Sequence, residues 1–111
     1  MDIQTPDKLA EIRRDQFRTT FRGGQVLLTQ SVSDLPPMVV SAALEKVATF
    51  TDFNQDNDLH GEHDYLSFDL CNREFVFVIQ YYDLKLENAS PNPADPAVTK
   101  RVGTLMLTHE W

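Results

Sequence analysis

From Phe75 to Tyr82 the chain reads Phe-Val-Phe-Val-Ile-Gln-Tyr-Tyr. Side chains alternate faces along a strand, so Phe75, Phe77, Ile79 and Tyr81 fall on one side and Val76, Val78 and Tyr82 on the other. A run that is apolar on both faces is a central strand with cover above and below. Its neighbours follow from the same period. Tyr65 to Cys71 carries Leu66, Phe68 and Leu70 on one face, and Arg101 to Thr108 sets Val102 and Met106 against Leu105 and Leu107. Asn72-Arg73 reads as the tight turn before the central strand, a weaker hairpin signal than Asn-Gly. Gln25 to Thr29 is a further short strand.

The period changes elsewhere. Thr5-Pro6-Asp7 opens a helix through a capping hydroxyl, a proline at the first helical position and an acid at the positive dipole end. Leu9, Ile12, Phe17 and Phe21 continue it at helical spacing, and Gly23-Gly24 is expected to stop it. Arg14, Arg18 and Arg22 lie four residues apart beside Glu11 and Asp15, a row that could anchor an acidic ligand but is more often a solvated face with local ion pairs. Ser33-Asp34-Leu35-Pro36-Pro37 starts the second helix. Val39, Val40, Ala43, Leu44, Val47 and Phe50 give it the stronger amphipathic stripe.

The expected class is α+β: two helices packed on a mostly antiparallel sheet of about four strands, in the order α-β-α-β-β-β. Residues 1–111 are expected to form a single domain. The central strand's second face then needs cover from the proline-containing connection Glu87 to Ala97, from Trp111, or from a second subunit in a homodimer. The connection holds Pro91, Pro93 and Pro96 and is expected to lack regular structure.

With 111 residues, an apolar fraction of 41% and seven Phe, the chain can build a core without disulfides. Its single cysteine, Cys71, is expected to be a small buried hydrophobe, and a reducing, cytoplasmic location is expected. No run is long enough to cross a membrane as a helix, and Met1-Asp2-Ile3-Gln4 is unlike the start of a secretory signal. The net charge is −7 and unevenly spread. Residues 34–96 hold twelve Asp and Glu against Lys46, Arg73 and Lys85, a net of −9, whereas residues 1–33 are +1. Such a body disfavours direct contact with nucleic acid or anionic lipid and suits a basic protein partner or a cation.

The densest charge is Asp52-Phe53-Asn54-Gln55-Asp56-Asn57-Asp58-Leu59-His60-Gly61-Glu62-His63-Asp64. Three readings compete for it. Asp52, Asn54, Asp56 and Asp58 alternate as in a calcium loop, but Asn57 stands where that loop needs Gly and His63 where it needs Glu. His60, Glu62, His63 and Asp64 are candidate ligands for zinc or manganese, with His109 or Asp83 as an added ligand and a bound water to activate. No helical His pair four residues apart supports that reading. The third reading is a turn-rich connection built from Asp, Asn and Gly, in which Glu62 or Asp64 pairs with Arg101. Nucleophile elbows, phosphate-binding glycine loops and dinucleotide fingerprints are missing from the sequence. The sequence does not identify a cofactor.

Asp56-Asn57-Asp58, Gly61-Glu62-His63-Asp64, Tyr81-Tyr82-Asp83, the run Ser90 to Asp95-Pro96, and Arg101-Val102 together resemble a small alphaproteobacterial family, domain of unknown function three-seven-six-eight. Gly24 and Leu35-Pro36-Pro37 extend the resemblance. Leu59 stands where members commonly have Pro. The resemblance implies no activity, cofactor or catalytic residue. It implies a setting on plasmids and other mobile elements, where small acidic proteins often inhibit host defence.

The favoured expectation is therefore a non-catalytic acidic interaction protein, of anti-CRISPR or anti-restriction type. Asp52, Asp56, Asp58, Glu62, Asp64 and Asp83 would engage a basic, nucleic-acid-binding protein of a defence complex. The alternative is a metal-binding module or metal-dependent hydrolase centred on the Asp52 to Asp64 stretch.

Overall fold

The computed structural model describes residues 15–54, 57 and 63–111. Its elements are a helix α1, described over residues 15–20, then β1 (Gly24–Leu28), α2 (Gln30–Ser33), α3 (Pro37–Thr49), β2 (Tyr65–Leu70), β3 (Arg73–Tyr82) and β4 (Lys100–Leu107). A 3-10 turn, Thr108–Glu110, closes the chain. The fold is α+β, with a four-stranded sheet in the order β1-β4-β3-β2. The β2–β3 and β3–β4 pairs are antiparallel, and β1 runs parallel to β4.

The doubly apolar run is β3, one of the two interior strands, as its pattern requires. Phe77 sits between Leu66 and Leu105, and Phe75 between Phe68 and Leu107. These residues, with Ile79, Val26 and Leu28, pack against Phe17, Val32, Ala43 and Val47 from the helices. Gly103 lies opposite Ile79, and Phe77's ring fills the space a Cβ at Gly103 would take. On the second face Val76, Val78 and Val102 are also buried. The C-terminal turn is tied to the sheet: Thr108 Oγ1 donates to Glu74 O at 3.1 Å, and the Trp111 and Tyr65 rings lie 5.8 Å apart.

Several local expectations need correction. The β2–β3 turn is Cys71-Asn72, both left-handed at φ 53° and 62°, and not Asn72-Arg73. Two consecutive positive φ values are what a two-residue type I′ hairpin turn demands. Cys71 is consequently exposed at the tip, not buried. Helix α1 ends before Gly23: Phe21 takes the left-handed position (φ 57°), and its N–H donates to Phe17 O. Helix α2 was not anticipated. Four residues hold no periodic signal, and its cap is Thr29, whose hydroxyl accepts from Val32 N–H at 3.5 Å.

Arg18 is the largest correction. It is 5% exposed, not solvated. Its Nη1 donates to Val47 O and Phe50 O, each at 2.8 Å, so it caps the C-terminal carbonyls of α3. A cation there is favoured by the helix dipole, and charged hydrogen bonds contribute about 1.5–3 kcal/mol.

The connection 83–99 contains no helix and only one isolated bridge, Tyr82 to Ala89. It is ordered by its own side chains. Asp83 accepts from Lys85 and Glu87 N–H, Asn92 from Ala94 N–H, and Asp95 from Ala97 N–H. The Thr99 hydroxyl donates to Asn92 O at 2.7 Å and meets the Ser90 hydroxyl at 2.6 Å.

Candidate functional site

The acidic connection leaves α3 at Phe50 and enters β2 at Tyr65. Asp56, Asp58, His60 and Glu62 lie outside the described residues. What is described is the base of the loop.

Phe53 and His63 stack with ring centroids 4.0 Å apart and planes within 6°. Phe50 meets the Phe53 ring edge-on at 4.9 Å, and the Arg18 guanidinium carbon lies 5.1 Å from the Phe53 centroid. His63 Nδ1 lies 3.0 and 3.1 Å from the two Asp15 carboxylate oxygens. Arg18 Nη2 reaches the same carboxylate at 3.3 Å. Helix α1 thus presents Asp15 and Arg18 one turn apart, and the two ends of the acidic loop close upon them. His63 is held in the left-handed region at φ 54°, an uncommon conformation for a non-glycine residue.

Between these ends the asparagines serve the backbone. Asn54 N–H donates to Asn57 Oδ1 (2.8 Å), Asn57 N–H donates to Asn54 Oδ1 (3.2 Å), and Asn57 Nδ2 donates to Asp52 O (2.7 Å). This is turn chemistry, in which short polar side chains replace missing main-chain partners. Asp52 is exposed. Asp64 accepts from Tyr81 OH at 3.4 Å, and its carbonyl accepts from Ile79 N–H at 2.8 Å.

Asp83 lies beyond the end of β3. Main-chain donation from Glu87 holds its carboxyl below the usual carboxylate range, with Asn88 and Lys85 contributing, so it is ionised at neutral pH. His109 is in the 3-10 turn after β4, whereas His63 lies near Ile79. Among the described residues, no three His, Cys, Asp or Glu side chains are grouped to hold a metal ion. Arg101 Nη1 reaches Gly23 O at 3.5 Å.

A model for the family described as Protein of unknown function (DUF3768) matches residues 28–110. The chain belongs to that family. No curated protein and no solved structure matches it. The match takes in α3, strands β2 to β4, and both Phe53 and His63 of the DUF3768 chain, while Asp15 and Arg18 precede it. The sequence offers His63 and Asp64 as candidate site residues, and Arg18 and Asp15 only as members of a charged helix face; Phe53 is not among its candidates. Phe53 carried a usable signal: an apolar ring inside an otherwise polar run marks an anchor. The Asp15–Arg18 ion pair lies at readable helical spacing, as expected, but the partners of these two residues that lie 29, 32 and 48 positions away leave no spacing to read.

Among the described residues, no helix is long and apolar enough to cross a membrane.

Proposed function

We propose that this DUF3768 chain is a non-catalytic interaction protein whose acidic loop engages a basic, nucleic-acid-binding protein. An inhibitor of a host defence system, of anti-CRISPR or anti-restriction type, fits that chemistry. The observation that carries the proposal is the clamp at the loop base. Phe53, His63, Asp15 and Arg18 tie the two ends of the most acidic segment together, as a rigid support for a presented loop would. Closing the ends in advance lowers the ordering cost of binding. A body of net −9 over residues 34–96 supplies attraction to a cationic surface. Asp52, Asp56, Asp58, Glu62, Asp64 and Asp83 are the contacting carboxylates.

The test is affinity capture from a bacterial extract with the intact chain and with Asp52→Asn/Asp56→Asn/Asp58→Asn. The expected result is a nucleic-acid-binding protein, retained at low salt, released as ionic strength rises through a few tenths molar, and lost with the triple variant. Retention that ignores both salt and the substitutions would overturn the reading.

One observation favours a second reading, a metal-binding module or metal-dependent hydrolase. A carboxylate on Nδ1 orients an imidazole in the way that outer-shell acids orient metal-binding histidines. Native mass spectrometry before and after chelator decides between the two. A stoichiometric zinc, manganese or calcium ion lost with His63→Ala would favour the metal reading, with His60, Glu62 and Asp64 completing the set. A metal-free species after zinc, manganese and calcium are added back would exclude it.

A further inference from the structure

Away from the acidic loop, a half-open cavity of about 420 Å³ lies where the parallel strands β1 and β4 begin side by side. It is lined by Gly23, Gly24, Gln25, Thr99, Lys100 and Arg101. Its character is opposite to that of the chain: two cations and no acid among these six residues, in a protein of net charge −7.

The walls are built, not loose. Thr99 and Arg101 are each 6% exposed. Thr99 is fixed by Asn92 and Ser90, and Arg101 has protein partners that include Gly23 O, so its charge is set in place beneath the surface. Lys100 and Gln25, by contrast, are exposed and able to adjust to a ligand. Gly23 is at φ +86°, and the space its Cβ would occupy is open, so a ligand can approach the main chain directly. Adjacent main-chain groups around a left-handed residue are a known setting for anions. The volume exceeds that of a bare anion and falls within the range of small-molecule sites.

We propose that this cavity binds a phosphate-bearing small molecule. Lys100 and the Gly23-Gly24 main chain hold the phosphate, Arg101 adds charge from the wall, and Gln25 contacts the remainder of the ligand.

The test is a two-dimensional amide NMR titration of the full chain with inorganic phosphate and then adenosine monophosphate, at constant ionic strength. The expected result is saturable shifts at the Gly23, Gly24, Gln25 and Lys100 amides. Half-saturation is expected near about 1–10 mM for inorganic phosphate and lower for the nucleotide. Lys100→Gln, a surface change that leaves the rest of the spectrum in place, should weaken both by roughly tenfold. Gln25→Ala should weaken only the nucleotide. Shifts that do not saturate, or that appear equally around Lys46, Arg73 and Lys85, would overturn the proposal. So would a response to a single-stranded oligonucleotide at these amides with none to inorganic phosphate.

Discussion

Two long connections leave the same core and are held by different means. The connection 83–99 is stitched locally: Asp83, Ser90, Asn92 and Asp95 each bond a group within nine residues. The acidic connection between α3 and β2 has its own asparagine turn, but its ends are fixed from a distance. Arg18 reaches across 29 and 32 residues to Val47 and Phe50, and Asp15 across 48 to His63. Local stitching orders a loop without involving the rest of the fold. Long-range clamping makes the loop report on α1 and α3, and makes those helices depend on the loop base.

That contrast is broken first at Arg18. Arg18→Leu removes the cap of α3, the bond to Asp15 and the cation above Phe53, and leaves buried carbonyls unpaired. A loss of about 3 kcal/mol in urea unfolding is expected. Phe53→Ala comes next, at about 2 kcal/mol, because a half-buried ring that contacts Phe50, His63 and Arg18 is lost. Its hydrogen-exchange signature should spread to α1 and to the last turn of α3. Thr99→Val belongs to the other loop. It should cost about 1 kcal/mol, with faster exchange confined to residues 90–99. If Thr99→Val loosened α1, or Phe53→Ala left it unchanged, the distinction between the loops would fail.

Much of the sheet was legible because its signal is periodic. Phe75 to Tyr82, Leu66-x-Phe68-x-Leu70 and the stripe from Val39 to Phe50 each repeat with the period of their element. Strand partners were not legible: the alternation of Val26 and Leu28 does not say that β1 lies parallel to β4. The β2–β3 turn was misplaced by one residue because Cys71, unlike Asn72, gives no hint of a left-handed backbone. The candidate site was half legible. Its acidic residues announce themselves by composition, but the base of their loop is held in part by an arginine read as solvated. Local spacing cannot tell a surface arginine from one that meets the end of another helix.

The smallest expected effect is in pH dependence. Asp83 has a folded-state pKa lowered chiefly by the Glu87 N–H, below its unfolded value. Its contribution is therefore present above about pH 4 and is lost as the pH falls through the lower folded value. Asp83→Asn should flatten the acid limb of the stability profile slightly while leaving the acidic loop's exchange rates unchanged.

The clamp itself is most directly tested by a double-mutant cycle between Asp15 and His63, using Asp15→Asn, His63→Gln and the pair, read by urea unfolding at neutral pH. Residues that share a contact couple, so an interaction energy of about 0.5–1 kcal/mol is predicted for this partly exposed pair. Additive single-mutant effects, with no coupling beyond error, would mean that α1 does not hold the base of the acidic loop.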